Sequence, residues 1–173
     1  IILANTGFFG SSRLHKAGVH LQALDYFYAF EGNYGAKVGI LGAGMIGKLV
    51  IQMLKSHDLA VLVFDPFLPE EQAADLGVTK CDLQTLFAEC SVVSNHLANN
   101  KETEGMLDYD CFRRMREGAV FINTGRGAQV AEYQLAWSLL CHPSRTFVAD
   151  VIKKEFFPYI CPLFWVPNAI LTP

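Results

Sequence analysis

The sequence predicts a doubly wound α/β fold, a parallel sheet with helices on both faces, and three features of the chain point to it. Short apolar runs alternate with amphipathic stretches from Lys37 onward. The first run leads directly into a glycine-rich turn, Gly42-Ala43-Gly44-Met45-Ile46-Gly47. Polar residues cluster where runs end rather than within them: Asp65, Asn95 with His96, Asn123 to Arg126, and Asp150. Strands buried on both faces read as continuous apolar runs, and strands separated by helices pair in parallel through crossover connections.

Taken in order, residues 1–36 are the least regular. Ile1-Ile2-Leu3-Ala4 reads as a helix tail that Gly7-Phe8-Phe9-Gly10-Ser11-Ser12 breaks. Tyr26-Phe27-Tyr28-Ala29-Phe30 is an aromatic patch that needs a partner, because large exposed apolar areas are uncommon on monomers. That partner is either the domain's own helices or a second domain or subunit. Val38-Gly39-Ile40-Leu41 is the first strand, and Ile46, Val50, Met53 and Leu54 recur at helical spacing after it. Ala60-Val61-Leu62-Val63-Phe64 is the second strand and stops at Asp65. Residues 66–69 form a loop, and residues 70–76 a short helix closed by Gly77. Val78-Thr79-Lys80-Cys81 is a third strand, Leu83, Leu86 and Phe87 mark a helix, and Ser91-Val92-Val93-Ser94-Asn95-His96 is a fourth strand. A helix over residues 108–115 with Gly118 as its stop, a fifth strand Ala119-Val120-Phe121-Ile122-Asn123, a helix over residues 131–140 and a sixth strand over residues 145–149 complete the pattern.

Composition narrows the function classes. At 173 residues, half of them hydrophobic, the chain is long enough for one domain with a sizeable core. A net charge of −3 without a Lys/Arg cluster argues against nucleic acid or an anionic membrane as partner. No apolar run reaches the roughly 18 residues of a membrane span, and no basic-then-apolar leader opens the chain. The five cysteines are odd in number and lack C-x-x-C spacing, so neither a disulfide framework nor a metal site is expected, and a reducing cytoplasm is.

The glycine turn has the G-x-G-x-x-G form, and its context gives each glycine a task. Gly42 permits the tight exit from the strand, Gly44 omits a Cβ that would obstruct a pyrophosphate, and Gly47 allows the helix to lie close to the sheet. Free amides at Met45 and Ile46 then face the phosphates at a helix N-terminus, where the dipole favours an anion. Asp65, 18 residues beyond Gly47, is placed to accept hydrogen bonds from both ribose hydroxyls of an adenosine. Pro66 and Phe67 follow it, with no Arg or Lys nearby to hold a 2′-phosphate, so NAD is favoured over NADP. A methyltransferase-type domain also pairs a glycine loop with an acid and is the weaker alternative. Arg126 sits in Asn123-Thr124-Gly125-Arg126-Gly127 directly after a buried strand, and its guanidinium can grip a substrate carboxylate with two parallel hydrogen bonds.

With these residues in hand, the chain resembles the NAD-binding domain of the D-isomer-specific 2-hydroxyacid dehydrogenases. The resemblance covers nearly all of residues 34–173 and is less clear over residues 1–33. It rests on residues 38–47 with Asp65, on residues 91–97, on Gly118-Ala119-Val120-Phe121-Ile122-Asn123-Thr124-Gly125-Arg126-Gly127, on Asp150-Val151 with Glu155, and on Pro167-Asn168-Ala169-Ile170-Leu171-Thr172-Pro173. It implies a Rossmann-type domain over residues 34–173, with residues 1–33 as the tail of an interdomain helix and a connecting segment. It implies NAD as cofactor and a small 2-hydroxy/2-oxo acid as substrate, with Arg126 holding the carboxylate and Glu155 pairing with a catalytic histidine that it keeps protonated. Cofactor contacts are implied at Gly42, Gly44, Met45, Ile46, Gly47, Asp65, His96, Leu97, Thr124 and Asp150.

The departures set further expectations. The family's closing motif is Thr-Pro-His, whose histidine is the acid/base, and this sequence closes on Thr172-Pro173. A fragment cut before that histidine is expected to bind cofactor and turn over little. Phe156 follows Glu155 where the family usually has Pro, and Ala98-Asn99-Asn100 replaces Pro-Leu-Thr. A homodimer is expected, since the family commonly dimerises through this domain. The rival function is an NAD(H)-sensing regulatory or scaffold protein on the same fold.

Overall fold

The computed structural model describes residues 1–30, 32–153 and 161–172. Among them β1 (Tyr34–Leu41), β2 (Asp58–Phe64), β3 (Thr79–Lys80), β4 (Val92–Asn95), β5 (Val120–Asn123), β6 (Thr146–Ala149) and β7 (Ala169–Leu171) form one sheet in the order β3-β2-β1-β4-β5-β6-β7. Every pairing is parallel. The direction of winding reverses between β1 and β4, which opens a crevice at the C-terminal ends of those two strands.

The sheet has a core on each face because its strands send alternate side chains to opposite sides. Val93, Phe121, Phe147 and Ala149 face α6 (Leu83–Glu89), α7 (Tyr109–Phe112) and α8 (Glu132–Cys141), through Leu86, Phe87, Phe112, Leu135 and Leu139. Phe87, Phe112, Phe121 and Phe147 form a run of touching rings with centroids 5.4–6.0 Å apart. Val38, Ile40, Val61 and Val63 face the other way, against Ile51 and Leu54 of α4 (Met45–Leu54) and Ala73 of α5 (Glu70–Leu76). Val92, Val120, Ile122 and Val148 continue that face under Ala4 of α1 (Ile2–Asn5) and Phe9 of α2 (Phe8–Lys16). The expected doubly wound α/β architecture is therefore present.

Several boundaries differ from the sequence reading. Within residues 7–12 only Gly7, at φ 66°, lies outside a helix, and Phe8 to Ser12 are helical rather than breaking. The ring of Phe30 covers Gly7 and that of Tyr26 covers Gly10, so both glycines mark ring contacts. The helix expected over residues 108–115 is the single turn Tyr109–Phe112, capped by the Asp108 side chain on the amides of Asp110 and Cys111. It ends well before Gly118, whose φ of 76° turns the chain into β5. The sixth strand starts at Thr146, because Arg145 is turned inward to donate to the Phe112 carbonyl (3.0 Å) and Ser138 Oγ (3.3 Å). A seventh strand, β7, was missed: three residues are too few for a period to show, and Asn168 anchors its start by donating to the carbonyls of Leu139 (3.0 Å) and Arg145 (2.8 Å).

The aromatic patch divides. Tyr26 donates to the Ser144 carbonyl (2.7 Å), and Phe30 lies against Gly7 and Gly118, so these two rings pack on the domain itself. Leu21, Leu24, Phe27 and Tyr28 of α3 (His20–Tyr28) face outward. Among the described residues no helix is long and apolar enough to cross a membrane. No three His, Cys, Asp or Glu side chains gather there as metal ligands.

Candidate functional site

The crevice at the reversal point is a cavity of about 550 Å³ lined by Gly42, Gly44, Met45, Ile46, Asp65, His96 and Leu97, with Phe64, Pro66 and Phe67 along the β2 side and Ala98, Asn100, Glu102, Thr103 and Met106 along the β4 side. The local backbone explains why the sequence turns here. Gly42 takes φ 86°, and a Cβ on it would stand 2.8 Å from the His96 carbonyl oxygen, so no side chain fits between the ends of β1 and β4. Gly47 is tighter still, since a Cβ there would stand 1.9 Å from the Gly42 carbonyl oxygen. Gly44 differs: nothing lies within 4 Å of its Cβ position. That space opens onto the N-terminus of α4, whose first intrahelical bond runs from the Lys48 amide to the Gly44 carbonyl (3.0 Å). The amides of Met45 and Ile46 thus lack intrahelical partners, and open space at such a terminus fits a pyrophosphate.

Asp65 is already oriented by the chain. Its Oδ2 accepts from the Ala43 amide (2.7 Å) and its Oδ1 from the Phe67 amide (2.8 Å). Each carboxylate oxygen keeps a free lone pair, so the group is aimed without being saturated. Among the described residues no lysine or arginine lines the cavity, and Glu102 adds a second carboxylate to it.

His96 is half-buried, and its Nε2 lies 2.9 Å from Ser94 Oγ. Burial pushes its imidazole below the ordinary histidine value. The folded state therefore binds fewer protons than the unfolded chain once pH falls below about 6.5. The stability given by the neutral ring is complete above the unfolded-state value and is lost as pH drops through the window between the unfolded and folded values. In urea denaturation, His96→Gln is expected to flatten the fall in stability between about pH 7 and about pH 5. An unchanged slope would remove His96 as its source.

Thr124, Arg126 and Asp150 lie at the same edge of the sheet but are not among the residues that line this cavity. Thr124 and Arg126 are exposed on the loop after β5, where Arg126 Nη1 donates to the Gly125 carbonyl (2.9 Å). Asp150 is exposed after β6. Glu155 lies outside the described residues. Sequence reading singled out Asn95 and Asn123 as polar strand ends, and both are fully buried, with Asn95 Nδ2 donating to Asn123 Oδ1 (2.9 Å). It missed Gln129, in the 3₁₀ turn Gly127–Gln129, which is fully buried and accepts from Asn95 (2.7 Å). The available signal was a lone amide between the apolar residues Ala128 and Val130.

Comparison with known proteins agrees with this geometry. The family model for the D-isomer specific 2-hydroxyacid dehydrogenase NAD binding domain matches residues 11–173, reaching further toward the N-terminus than the motifs alone. The D-lactate dehydrogenase of Escherichia coli (strain K12) is 35% identical over 148 residues, covering 83% of this chain and 44% of that protein. The D-3-phosphoglycerate dehydrogenase of Archaeoglobus fulgidus is 32% identical over 139 residues, covering 80% of this chain and 26% of that protein. The chain thus spans less than half the length of these two relatives. In fold, it superimposes on D-lactate dehydrogenase with NAD+ from Lactobacillus jensenii at a TM-score of 0.79 and 24% identity, over 99% of this chain and 54% of that one. The domain family takes NAD as its cofactor, and the open elbow, the aimed Asp65 carboxylate and the lack of a cation among the described lining residues fit it. The chain belongs to the D-isomer specific 2-hydroxyacid dehydrogenase family, as its NAD-binding domain.

Proposed function

We propose that this domain serves an enzyme that exchanges a hydride between NAD(H) and a 2-hydroxy/2-oxo acid pair. The observation that carries the reading is the cavity in which the glycine elbow, Asp65, His96 and Leu97 meet at the reversal point of the sheet. Bound there, NAD supplies the hydride acceptor and NADH the donor. The amides of Met45 and Ile46 donate to the pyrophosphate, and Gly42, Gly44 and Gly47 keep that approach clear. Asp65 accepts from the adenosine ribose hydroxyls, and the Ala43 and Phe67 amides hold its carboxylate in place. Leu97, Thr124 and Asp150 serve the cofactor further along the same edge, with Asp150 accepting from the nicotinamide carboxamide. Arg126 pairs in bidentate fashion with the substrate carboxylate and polarises the neighbouring carbonyl. Glu155 holds a histidine protonated for delivery to the carbonyl oxygen.

None of the five histidines in the sequence suits that last role. His96 lies on the cofactor side, where burial holds its imidazole below the ordinary histidine value. His142 pairs with Glu117 (2.8 Å) beyond α8, near the start of β6 and so at the opposite edge of the sheet. His15 and His20 meet edge to face on the N-terminal helices, and His57 is exposed just before β2. The 173-residue chain is therefore expected to bind NADH and to reduce 2-oxo acids little or not at all. Residues 34–173 form the cofactor domain in this reading, and residues 1–33 the interdomain segment. The outward Leu21, Leu24, Phe27 and Tyr28 support a homodimer, and the free cysteines support a cytoplasmic setting.

The test is titration with NADH followed by fluorescence. Binding is expected, with NADPH much weaker. Asp65→Asn should weaken NADH binding by about 10- to 100-fold, the worth of one or two hydrogen bonds to a charged group. A wild-type chain that ignores NADH, or that reduces 2-oxo acids at ordinary enzyme rates, overturns this reading.

A further inference from the structure

Beneath the proposed site lies a set of amides whose bonds are all made within the protein. Asn95, Asn123 and Gln129 are each 0% exposed. Besides its two side-chain bonds, Asn95 accepts at Oδ1 from the Leu97 amide (3.1 Å). Gln129 Oε1 accepts from Asn95 and from the Arg126 amide (3.1 Å), while its Nε2 donates to the carbonyls of Leu97 (3.1 Å) and Ala98 (3.0 Å). Asn123 Oδ1 accepts also from the Gly125 amide (3.1 Å), and its Nδ2 donates to the Arg126 carbonyl (3.4 Å). Leu97 and Ala98 are wall residues of the cofactor cavity, whereas Gly125 and Arg126 belong to the loop after β5. Gln129 is the one side chain of the three that bonds both backbones directly. A fully satisfied buried network holds a single arrangement, because moving any member leaves another unpaired in a low-dielectric interior.

We infer that Gln129 is a positioning residue that joins the cavity wall at Leu97 and Ala98 to the Arg126 loop, so that filling the cavity orders Arg126 for its carboxylate. The inference rests on the cofactor and Arg126 roles proposed above and adds a coupling between them. Its physical basis is short: a cofactor packed on Leu97 and Ala98 restrains two carbonyls, these restrain the Gln129 amide, and that amide fixes the Arg126 N–H. The coupling is thermodynamic, so a carboxylate on Arg126 would equally favour the filled cavity.

Amide hydrogen exchange, followed by NMR on the 173-residue chain with NADH as the probe, tests this. In the wild type, the amides of Leu97, Gly125 and Arg126 are expected to exchange through one shared opening. With NADH about a hundredfold above its dissociation constant, all three should slow together by up to about 100-fold. In Gln129→Met at saturating NADH, slowing at Met45 and Ile46 should persist, and that at Gly125 and Arg126 should be lost. Slowing at Met45, Ile46 and Leu97 in the wild type without any at Gly125 and Arg126 removes the positioning role and leaves the cofactor reading standing. No slowing at Met45 or Ile46 takes both down. The wild-type arm decides the matter even if the variant fails to fold.

Discussion

Gly47→Ala is expected to cost about 3 kcal/mol or more of stability, at the upper end of overpacking substitutions, and to take NADH binding with it. The added Cβ would stand 1.9 Å from the Gly42 carbonyl oxygen, and that oxygen is backbone, unable to swing aside as a side chain does. Gly42 has no room to retreat. Its amide donates to the Phe64 carbonyl (2.8 Å), and its α-carbon faces the backbone of His96 and Leu97. Relief therefore requires α4 to lift from the sheet, which opens the contacts of Ile51 and Leu54 and displaces the Met45 and Ile46 amides. Gly44→Ala is the matched control. Its φ of −70° suits any residue and nothing lies within 4 Å of the new methyl group, so stability should change by less than about 0.5 kcal/mol while NADH affinity falls. Urea denaturation paired with NADH titration on both variants reads the contrast. A Gly47→Ala chain as stable as the wild type would show that the elbow yields, and would reduce its glycines to a sequence habit.

That contrast also marks how much of the site is legible in the amino-acid sequence. The elbow can be read because its glycines answer to steric demands that repeat wherever a strand turns into a helix under a phosphate. Asp65 can be read because the strand that leads to it is a plain apolar run with a fixed end. The alternation of runs reveals the sheet, its parallel sense and the edge where polar residues collect. What escapes is decided by contacts distant in sequence. Phe8 to Ser12 read as a break because Gly7 and Gly10 punctuate the segment, yet Gly10 is interior to a helix and lies against the Tyr26 ring. Strand β7 escapes because three half-buried residues carry no measurable period. Gln129 escapes because nothing in Gly127-Ala128-Gln129-Val130 shows that Asn95, 34 positions earlier, comes within 2.7 Å of it. The fixed carboxylate of Asp65 is a similar case, since its partner Ala43 lies on the far side of an intervening helix and strand.

The loop that bears Arg126 carries the second large expected effect, Gly127→Ala. Here the added Cβ would stand 2.1 Å from the Ile152 carbonyl carbon and 2.3 Å from the Lys153 nitrogen. Lys153 is tied in turn by its amide, which donates to Glu132 Oε1 (2.6 Å) at the start of α8. Backbone meets backbone again, and a loss of about 3 kcal/mol or more is expected. Gly125→Ala meets side-chain atoms rather than main chain, Asn95 Nδ2 and Gln129 Oε1 at 2.8 Å each, and parting that pair costs about one buried hydrogen bond, so a loss nearer about 1–2 kcal/mol is expected. The two glycines flank Arg126 and fail differently: one pushes the segment after β6 away from the loop, the other presses on the amides beneath it. Neither substitution adds an atom at the elbow, so whatever fraction of each variant is folded should still bind NADH, unlike Gly47→Ala. Unfolding midpoints, with NADH titration of the folded fraction, separate the cases. Equal losses at positions 125 and 127 would mean that the amide network is as unyielding as main chain.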